Sequence, residues 1–534
     1  MSRNIRELSR KQGLASNLFS KISTVAKQKS GLAEEPLDTL AGQTGFSVSM
    51  LKGAASFYDF LKQPEVEQDV HVCEGTACLL NGSSAVTSAN YSDAGKAVCC
   101  GYCYEGGGLL KRAPDGALQG YHLREGRLLQ SEMPVYDLSS VGILTTVELS
   151  VEGLYRIALE RQSTILDELK ASNLRGRGGA GFGFAFKCQA ASEVEATEKY
   201  IVCNADEGDP GAFSDRYLLE MQPHKVMAGM YAAGIAAGAR YGLLYIRHEY
   251  PQAIETTARA IAEFAALPPE ISSRFTFHII EGAGSYVCGE ETALLNSIEG
   301  LRPEVRVRPP YPATHGLWGK PTVLSNVETF ANIPWILRQG GEAYAAIGTQ
   351  GSKGTKLVSL DSQFVRPGLY EVDFGSSFEE LIQNHAGGFS CDVKALQVGG
   401  PLGSVVPLNQ VSRLRIDFES FQEAGFALGH GGIIAVPQSF PMIDLMRHLF
   451  DYMADESCGK CAPCRLGTAK GSRMLERASP DAPLQRDSFE ALLEVLEVGS
   501  LCALGGGLPL PIRNILNHFQ QELAPFFSAW ESQP

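Results

Sequence analysis

Four cysteines in the last part of this 534-residue chain are spaced to hold metal. Cys458, Cys461 and Cys464 form a C-x₂-C-x₂-C run, and Cys502 follows far downstream. Three closely spaced thiolates wrap one corner of a cubane, and a distant fourth closes it. Gly459 and Gly467 let the backbone approach the sulfides. The run suits a [4Fe–4S] cluster, with tetrahedral zinc as the competing chemistry for four thiolates. A second group, Cys73-x₄-Cys78 and Cys99-x₃-Cys103, offers two thiolate pairs, which suit the two irons of a [2Fe–2S] cluster. Cys100 leaves the register open, because Cys100-x₂-Cys103 is also spaced to chelate, and zinc again competes.

A third motif, Gly176-Arg-Gly178-Gly179-Ala-Gly181-Phe182, matches G-x-G-x-x-G, which is a weak signal alone. The dinucleotide fingerprint needs a strand before it, whereas Ile165–Asn173 reads as a helix. What remains is a glycine-dense loop whose backbone N–H groups can approach a phosphate or a flat ring. Two acidic loops accompany it. Asn204-Ala-Asp206-Glu207-Gly-Asp209-Pro210 follows a strand end, where α/β ligands bind. Gly282-Ala-Gly284-Ser-Tyr286-Val-Cys288-Gly289-Glu290-Glu291 joins glycines to paired carboxylates. Carboxylates do not attract phosphate, but they accept hydrogen bonds from sugar hydroxyls and from ring or amide N–H groups. None of the ten histidines falls into a Ser-His-Asp or His-based metal motif.

These motifs need elements to position them. The N-terminal stretch has helical spacing, and Val70–Val72 reads as a strand running into Cys73. Gly106–Gly108 and the turn Pro114-Asp115-Gly116 suggest hairpins. From about residue 145 helices and strands alternate: Tyr155–Leu169 reads as a helix, and Tyr200–Cys203 and Leu243–Ile246 as strands. Leu357–Leu360, Gly368–Val372 and Ala395–Val398 suggest a small mixed domain. Ile443–Met453, Ser488–Glu497 and Ile512–Leu523 read as helices. The expected fold is thus a multidomain α/β protein.

Composition narrows the function. Hydrophobic residues make up 44% and charged residues 20%, as in ordinary globular chains. The net charge of −14 argues against sequence-independent nucleic-acid binding. The longest uncharged apolar stretch, from Val226 to before Arg240, is too short for the roughly 20 residues of a spanning helix, so no membrane insertion is expected. Basic Arg3, Arg6, Arg10 and Lys11 are not followed by an apolar core, so no signal peptide is expected. Thirteen cysteines, odd in number and with eight of them in two compact groups, point to metal binding in a reducing, cytoplasmic compartment.

At this point the residues closely resemble a known family. GRGGAGF, NADEGDPGAF, GAGSYVCGEETALLNSIEGLRP, PPYP, GLWGKPT and SNVETF resemble the flavin-bearing, NADH-oxidising subunit of respiratory complex I and its relatives. ESCGKCAPCRLGT with Cys502 resembles that subunit's [4Fe–4S] site. GAASFYDF, HVCEGTAC and the Cys99–Cys103 pair resemble its thioredoxin-like [2Fe–2S] subunit, which in complex I is a separate chain. The resemblance implies a helical segment (1–62), a thioredoxin-like [2Fe–2S] domain (63–140) and a Rossmann-like FMN/NADH domain (141–353). A ubiquitin-like domain (354–437) and a helical [4Fe–4S] bundle (438–534) complete it.

It further implies that FMN lies on Gly176, Arg177, Gly178, Ala180 and Phe182, with Lys187, Asn204, Asp206, Glu207, Asn326 and Thr329 as further contacts. Asp209, Tyr286, Glu290 and Glu291 would line the FMN/NADH pocket. Phe182 would stack on the nicotinamide and Glu291 accept from NADH hydroxyls, making Phe182, Glu290 and Glu291 the catalytic set. The family's C-x₃-C favours Cys99 with Cys103. Departures are Cys188 where a Trp is usual, Ala190 where an aromatic is usual, Arg308 where Lys is common, and a shorter Cys78–Cys99 segment.

Fusion of both modules resembles the β subunit of NAD-dependent molybdenum or tungsten formate dehydrogenases; diaphorase subunits of NAD-reducing hydrogenases are the alternative. The chain has no molybdopterin- or nickel-type motif, so a partner subunit with a Mo/W-pterin, or a hydrogenase module, is expected to supply substrate chemistry. A non-catalytic iron–sulfur scaffold is the reading from another class, and the intact glycine loop and Glu290-Glu291 pair speak against it.

Overall fold

Helices α1 (Glu34–Thr44) and α2 (Val48–Ala55) open the computed structural model, which describes residues 21–22, 34–44, 46–62, 65–114, 117–146 and 149–528. Arg3, Arg6, Arg10 and Lys11 lie outside the described residues. Ser47 caps α2, its Oγ accepting from the Met50 amide at 3.3 Å. A five-stranded sheet follows in the order β2-β1-β3-β4-β5, from β1 (Val70–Cys73), β2 (Gly95–Ala97), β3 (Gly108–Arg112), β4 (Leu118–Arg124) and β5 (Arg127–Leu129). Helices α3 (Thr76–Leu80) and α4 (Ser83–Asn90) carry the chain from β1 to its parallel neighbour β2. β3 and β4 pair antiparallel. The expected turn between them, Pro114-Asp115-Gly116, lies partly outside the described residues.

The single helix expected over Tyr155–Leu169 is in fact two, α5 (Val151–Glu160) and α6 (Ile165–Ser172). The polar run Gln162-Ser163-Thr164 interrupts it, with the Thr164 amide donating to the Arg161 carbonyl at 2.8 Å. The chain re-enters helix so that Ile165 and Leu169 are fully buried. The glycine loop follows α6, the helix expected before it, and opens α7 (Phe184–Ser192), so it lies between two helices.

Beyond α7 a four-stranded parallel sheet forms in the order β10-β7-β8-β9. Its strands are β7 (Tyr200–Ala205), β8 (Tyr241–Ile246), β9 (Thr276–Glu281) and β10 (Thr322–Asn326). Crossovers run through α8 (Ser214–Met221) and α9 (Pro223–Ala237), then α10 (Pro251–Ala265), then α11 (Glu291–Ile298); α12 (Val327–Gln339) follows β10. Helices shield the inner strands, which explains runs such as Tyr200–Cys203 that are apolar without alternation. From β7 the sheet grows one way through β8 and β9, while β10 returns to the other side. The switch point lies between β7 and β10, and a crevice opens there at the strands' carboxyl ends.

The apolar stretch from Val226 is most of α9, and its burial on nearly every side makes it a core helix. It packs against α12 so closely that a Cβ on Gly229 would sit 1.9 Å from the Phe330 carbonyl oxygen.

A separate six-stranded sheet, β14-β13-β15-β11-β12-β6, has its own core around Val358, Phe378, Leu396 and Ile433. It is built from β11 (Thr355–Leu360), β12 (Gly368–Asp373), β13 (Val393–Val398), β14 (Ser404–Pro407) and β15 (Gly432–Pro437). Its sixth strand, β6 (Val135–Asp137), comes from before the parallel domain and covers the free edge of β12 in parallel register. The last region is helical: α13 (Met442–Asp455), α14 (Ala462–Arg477), α15 (Arg486–Gly499) and α16 (Pro509–His518). The helix expected to reach Leu523 stops at His518 and resumes as the short turn Gln520–Leu523. Among the described residues no helix is long and apolar enough to cross a membrane.

The α9–α12 contact yields a test. We expect Gly229→Ala to cost about 1–3 kcal/mol or more, because the backbone atom it meets cannot rotate away. Thermal or urea unfolding measures it; an unchanged midpoint would show the two helices free to separate.

Candidate functional site

A glycine-dense loop has few side chains with which to hold its shape, and here its surroundings do so. The Gly176 amide donates to the Phe182 carbonyl at 2.8 Å, closing the loop's base. Arg175 Nε donates to the Gly181 carbonyl at 2.7 Å, and its Nη1 reaches Glu419 Oε1 at 2.5 Å. The Arg177 amide donates to Thr329 Oγ1 at 2.9 Å. Gly179 adopts φ +103°, a value that side-chain-bearing residues rarely take. Gly178, Ala180 and Phe182 are left exposed, giving a face of nearly bare backbone.

Arg177 departs from its expected role. Its guanidinium is wholly buried, donates to Tyr344 Oη and the Lys353 carbonyl at 2.6 Å each, and lies 4.5 Å from the centre of the Phe374 ring. Only its backbone is left for a ligand. Thr329, also fully buried, likewise serves the loop's anchor.

The loops from the carboxyl ends of the parallel strands meet this face. Asn204 on β7 and Asn326 on β10 are register partners across the switch point. Asn204 Nδ2 donates to the Gly289 carbonyl at 2.9 Å, tying the two acidic loops together. Asn326 Oδ1 caps α12, and its Nδ2 donates to Asp215 Oδ2 at 2.6 Å. Asp206 has a buried oxygen, Oδ2, without a hydrogen bond, and burial pushes its pKa up to about 8. It lines a small polar cavity with Arg247, Glu249, Ser285, Tyr286 and Glu456. Asp209 accepts from Tyr286 Oη at 2.6 Å. Glu207 corrects another expectation. Its carboxylate accepts from Ser214 Oγ, the Asp215 and Arg216 amides and Tyr250 Oη, at 3.0–3.1 Å. The side chain therefore caps α8 and has no oxygen to spare for a ligand.

The paired carboxylates divide their work. Glu290 is the N-cap of α11, its Oε2 accepting from the Thr292 and Ala293 amides at 2.9 Å each. Its Oε1 is buried without a hydrogen bond, 3.9 Å from Arg308 Nη2. Glu291 faces the opening, where Lys187 Nζ holds Oε2 at 3.1 Å and Arg308 Nη1 holds Oε1 at 2.8 Å. Two cations thus meet at one carboxylate on the lip of the site.

His430 escaped the sequence reading. It is 7% exposed, neither ring nitrogen has a hydrogen bond, and Nε2 lies 3.6 Å from Glu207 Oε1 and 3.7 Å from Asp215 Oδ2. Burial opposes charge on the ring, but the two carboxylates outweigh it and hold its pKa up at about 9. The chain passes close to the glycine loop here, since a Cβ on Gly179 would lie 3.4 Å from the Gly429 carbonyl carbon. The glycines around it in Gly429-His430-Gly431-Gly432 were the available signal.

Both thiol groups assemble. Cys458, Cys461, Cys464 and Cys502 line one cavity with Val287, Val305, Leu501 and Leu504. Cys461 is the N-cap of α14, so the helix's positive end faces the site, which favours an anionic cluster. Burial pushes the Cys464 and Cys502 thiols up to about 11 and 12. Iron bound there would supply the positive charge that favours their thiolate form. In the other group Cys73, Cys78, Cys99 and Cys103 are all buried, and the Cys99 and Cys103 sulfurs are 3.6 Å apart. The Gly211 amide donates to Cys103 Sγ at 3.3 Å, from the loop that carries Asp209. Cys100 is also buried and interacts with Cys73, so five thiols converge.

These donor sets fit FMN and two clusters. The bare face admits a flat ring, and the unpartnered Asp206 and Glu290 oxygens call for hydroxyl or N–H donors.

Comparison with known proteins agrees. The Nuo51 FMN-binding domain matches residues 169–335, the iron-sulfur binding region of NADH-ubiquinone oxidoreductase-F matches 444–525, and the thioredoxin-like [2Fe-2S] ferredoxin matches 5–98. The HndC subunit of the NADP-reducing hydrogenase of Solidesulfovibrio fructosivorans is 41% identical over 70% of this chain and 77% of its own. The F subunit of the Escherichia coli NADH-quinone oxidoreductase is 39% identical over 69% of this chain and 85% of its own. A chain of the air-oxidized NAD+-reducing [NiFe]-hydrogenase superposes with a TM-score of 0.85 at 27% identity, covering 98% of this chain and 95% of that one.

Gly178 tests the bare face, since a Cβ there would already lie 3.3 Å from Asn326 Cβ. We expect Gly178→Val to lose FMN while iron content stays near wild type. Flavin released by denaturation and iron assay measure both; normal flavin content would place the ring elsewhere.

Proposed function

Since this chain belongs to the family of complex I-type NADH flavoproteins, which includes the F subunits of NADH-quinone oxidoreductase, we propose that it is the NAD(H)-facing subunit of a larger dehydrogenase. It carries FMN, a [4Fe–4S] and a [2Fe–2S] cluster, and moves electrons between them and NAD(H). Bound FMN exchanges a hydride with nicotinamide, and iron–sulfur clusters carry electrons singly.

The observation that carries the site assignment is the meeting of the glycine loop with the loops after β7, β9 and β10 at the switch point. In this reading the backbone of Gly176, Gly178 and Ala180 backs the flavin ring. Lys187, Asn204, Asp206 and Asn326 hold the rest of the cofactor. Phe182, Glu290 and Glu291 meet the nicotinamide nucleotide. Lys187 and Arg308, which share Glu291 at the lip, are the cations placed to meet the nucleotide's pyrophosphate, and Glu291 accepts from its hydroxyls. Cys458, Cys461, Cys464 and Cys502 ligate the [4Fe–4S] cluster; Cys73, Cys78, Cys99 and Cys103 ligate the [2Fe–2S] cluster.

For the partner we favour the Mo/W-pterin subunit of an NAD-dependent formate dehydrogenase, acting in the cytoplasm. The fusion of both modules, with every N-terminal cluster cysteine present, supports it. A hydrogenase module is the second reading, favoured by the superposition over nearly the full chain. Metal analysis of the co-purifying subunit separates them: Mo or W supports the first, Ni the second.

Partial reactions test the reading. The chain alone should reduce ferricyanide with NADH and show no formate- or hydrogen-dependent NAD⁺ reduction. Glu291→Ala should weaken apparent NADH affinity about 10- to 150-fold, the equivalent of one charge-assisted hydrogen bond, with FMN content maintained. An FMN-loaded chain without NADH:dye activity, or formate oxidation by the chain alone, would refute it.

A further inference from the structure

His430 stands just before β15 and packs against the glycine loop, where a Cβ on Gly179 would lie 3.6 Å from its backbone nitrogen. Its imidazole is buried, and neither ring nitrogen has a hydrogen bond. A neutral ring in that position would leave an N–H and a lone pair idle, which is costly. The charges around it come from four elements. Glu207, after β7, and Asp215, in the first turn of α8, bring carboxylate oxygens to 3.6 and 3.7 Å from Nε2. Asp209, on the same loop as Glu207, also lies within its field. Lys356 on β11 opposes them, but its ammonium is paired with Glu328 of α12, and both are fully buried.

Two carboxylates at one buried point call for a cation. A metal ion is one candidate, since ligand atoms of Glu207, Asp215 and His430 all lie within 4.8 Å of one another. Glu207 argues against it, because each of its oxygens already accepts two hydrogen bonds. A proton on His430 meets the same demand and displaces none of them. The charge also has a short route to the bare face. Asp215 Oδ2 accepts from Asn326 Nδ2 at 2.6 Å, and Asn326 Cβ lies 3.3 Å from where a Cβ on Gly178 would sit.

We propose that His430, as an imidazolium, is the buried positive charge that offsets Glu207 and Asp215 beside the glycine loop and so raises the reduction potential of FMN bound there. The inference rests on the reading that FMN lies on that loop. Hydride transfer from NADH delivers two electrons and one proton and leaves NAD⁺, so the flavin site gains one negative charge. Two uncompensated carboxylates would oppose that gain, and the imidazolium offsets one of them. Charge placed near a flavin is among the means by which a protein sets its potential. Burial opposes charge on the ring, but the two carboxylates hold its proton up to about pH 9, so the cation is present at neutral pH.

The experiment uses the full chain with its flavin and clusters. The FMN midpoint potential is measured by anaerobic spectroelectrochemical titration from about pH 6 to pH 10 in wild type, His430→Gln and His430→Lys, alongside flavin content. At pH 7, His430→Gln should make flavin reduction about 10- to 100-fold less favourable, as loss of one nearby unit charge does. For this two-electron couple that is a potential about 30–60 mV lower. His430→Lys should keep the wild-type value. The gap between wild type and His430→Gln should narrow above about pH 9, where the wild-type imidazole loses its proton. Equal potentials at pH 7, a gap that stays constant through the range, or a fall in His430→Lys equal to that in His430→Gln overturns the proposal, since a merely structural role follows neither charge nor pH. If His430→Gln does not retain flavin, the wild type decides: its potential should fall more steeply with pH above about 9, and an unchanged slope overturns the proposal. A wild-type chain that binds no flavin would refute the reading of the glycine loop instead.

Discussion

The backbone of the loop from Gly176 to Phe182 must stay bare to admit a flat ring, and a bare backbone cannot support itself. Much of the parallel domain answers that constraint. Arg175 and Arg177 flank the first glycine and point their guanidinium groups away from the open face, one to Glu419 and the Gly181 carbonyl, the other into the core. Thr329, at the start of α12, receives the Arg177 amide, so the loop's position is tied to β10 and hence to the switch point. The α9–α12 contact fixes α12 in turn. A loss of packing there would reach the loop through Thr329 without altering any residue that touches a ligand.

The acidic loops show the same economy. Of the carboxylates near the site, Glu207 and one oxygen of Glu290 are committed to helix N-termini, α8 and α11. A carboxylate there satisfies backbone amides that would otherwise be orphaned, and complements the helix dipole. Asp206 Oδ2 and the second oxygen of Glu290 remain without a hydrogen bond, while Glu291 is shared by Lys187 and Arg308. The turn from Tyr286 to Glu290 also joins the two halves of the molecule. Tyr286 bonds to Asp209 on the flavin side, while Val287 lines the cavity of the four C-terminal cysteines. The loop bearing Asp209 reaches the other thiol group through the Gly211 amide. Both cluster sites are thus one loop away from the glycine face.

Much of this was legible in the sequence, for reasons that differ by feature. Local spacing carries the cysteine groups, because a chelate demands it. The failure of the strand–loop–helix pattern around Gly176 was legible because Ile165–Asn173 is too helical to be a strand. Buried strands such as β7 and β8 announce themselves by unbroken apolar runs. What depended on distant partners was hidden. Val135–Asp137 is too short to read as a strand and becomes one only against β12. Glu207 looks like a ligand residue until Ser214 and the amides after it fold back onto it. Arg177 sits in a ligand-like motif, yet Tyr344 and Phe374, far along the chain, draw its side chain inward. His430 carries no local signature beyond its glycine neighbours, and its two carboxylate partners come from other segments.

The central claim is that hydride input and single-electron output are joined within this one chain. Anaerobic addition of NADH to the purified chain, followed by visible absorption and low-temperature EPR, tests it most directly. The account predicts loss of the flavin absorption together with two distinguishable cluster signals, one of [2Fe–2S] and one of [4Fe–4S] type. Flavin reduction with both clusters remaining oxidised and EPR-silent would contradict it.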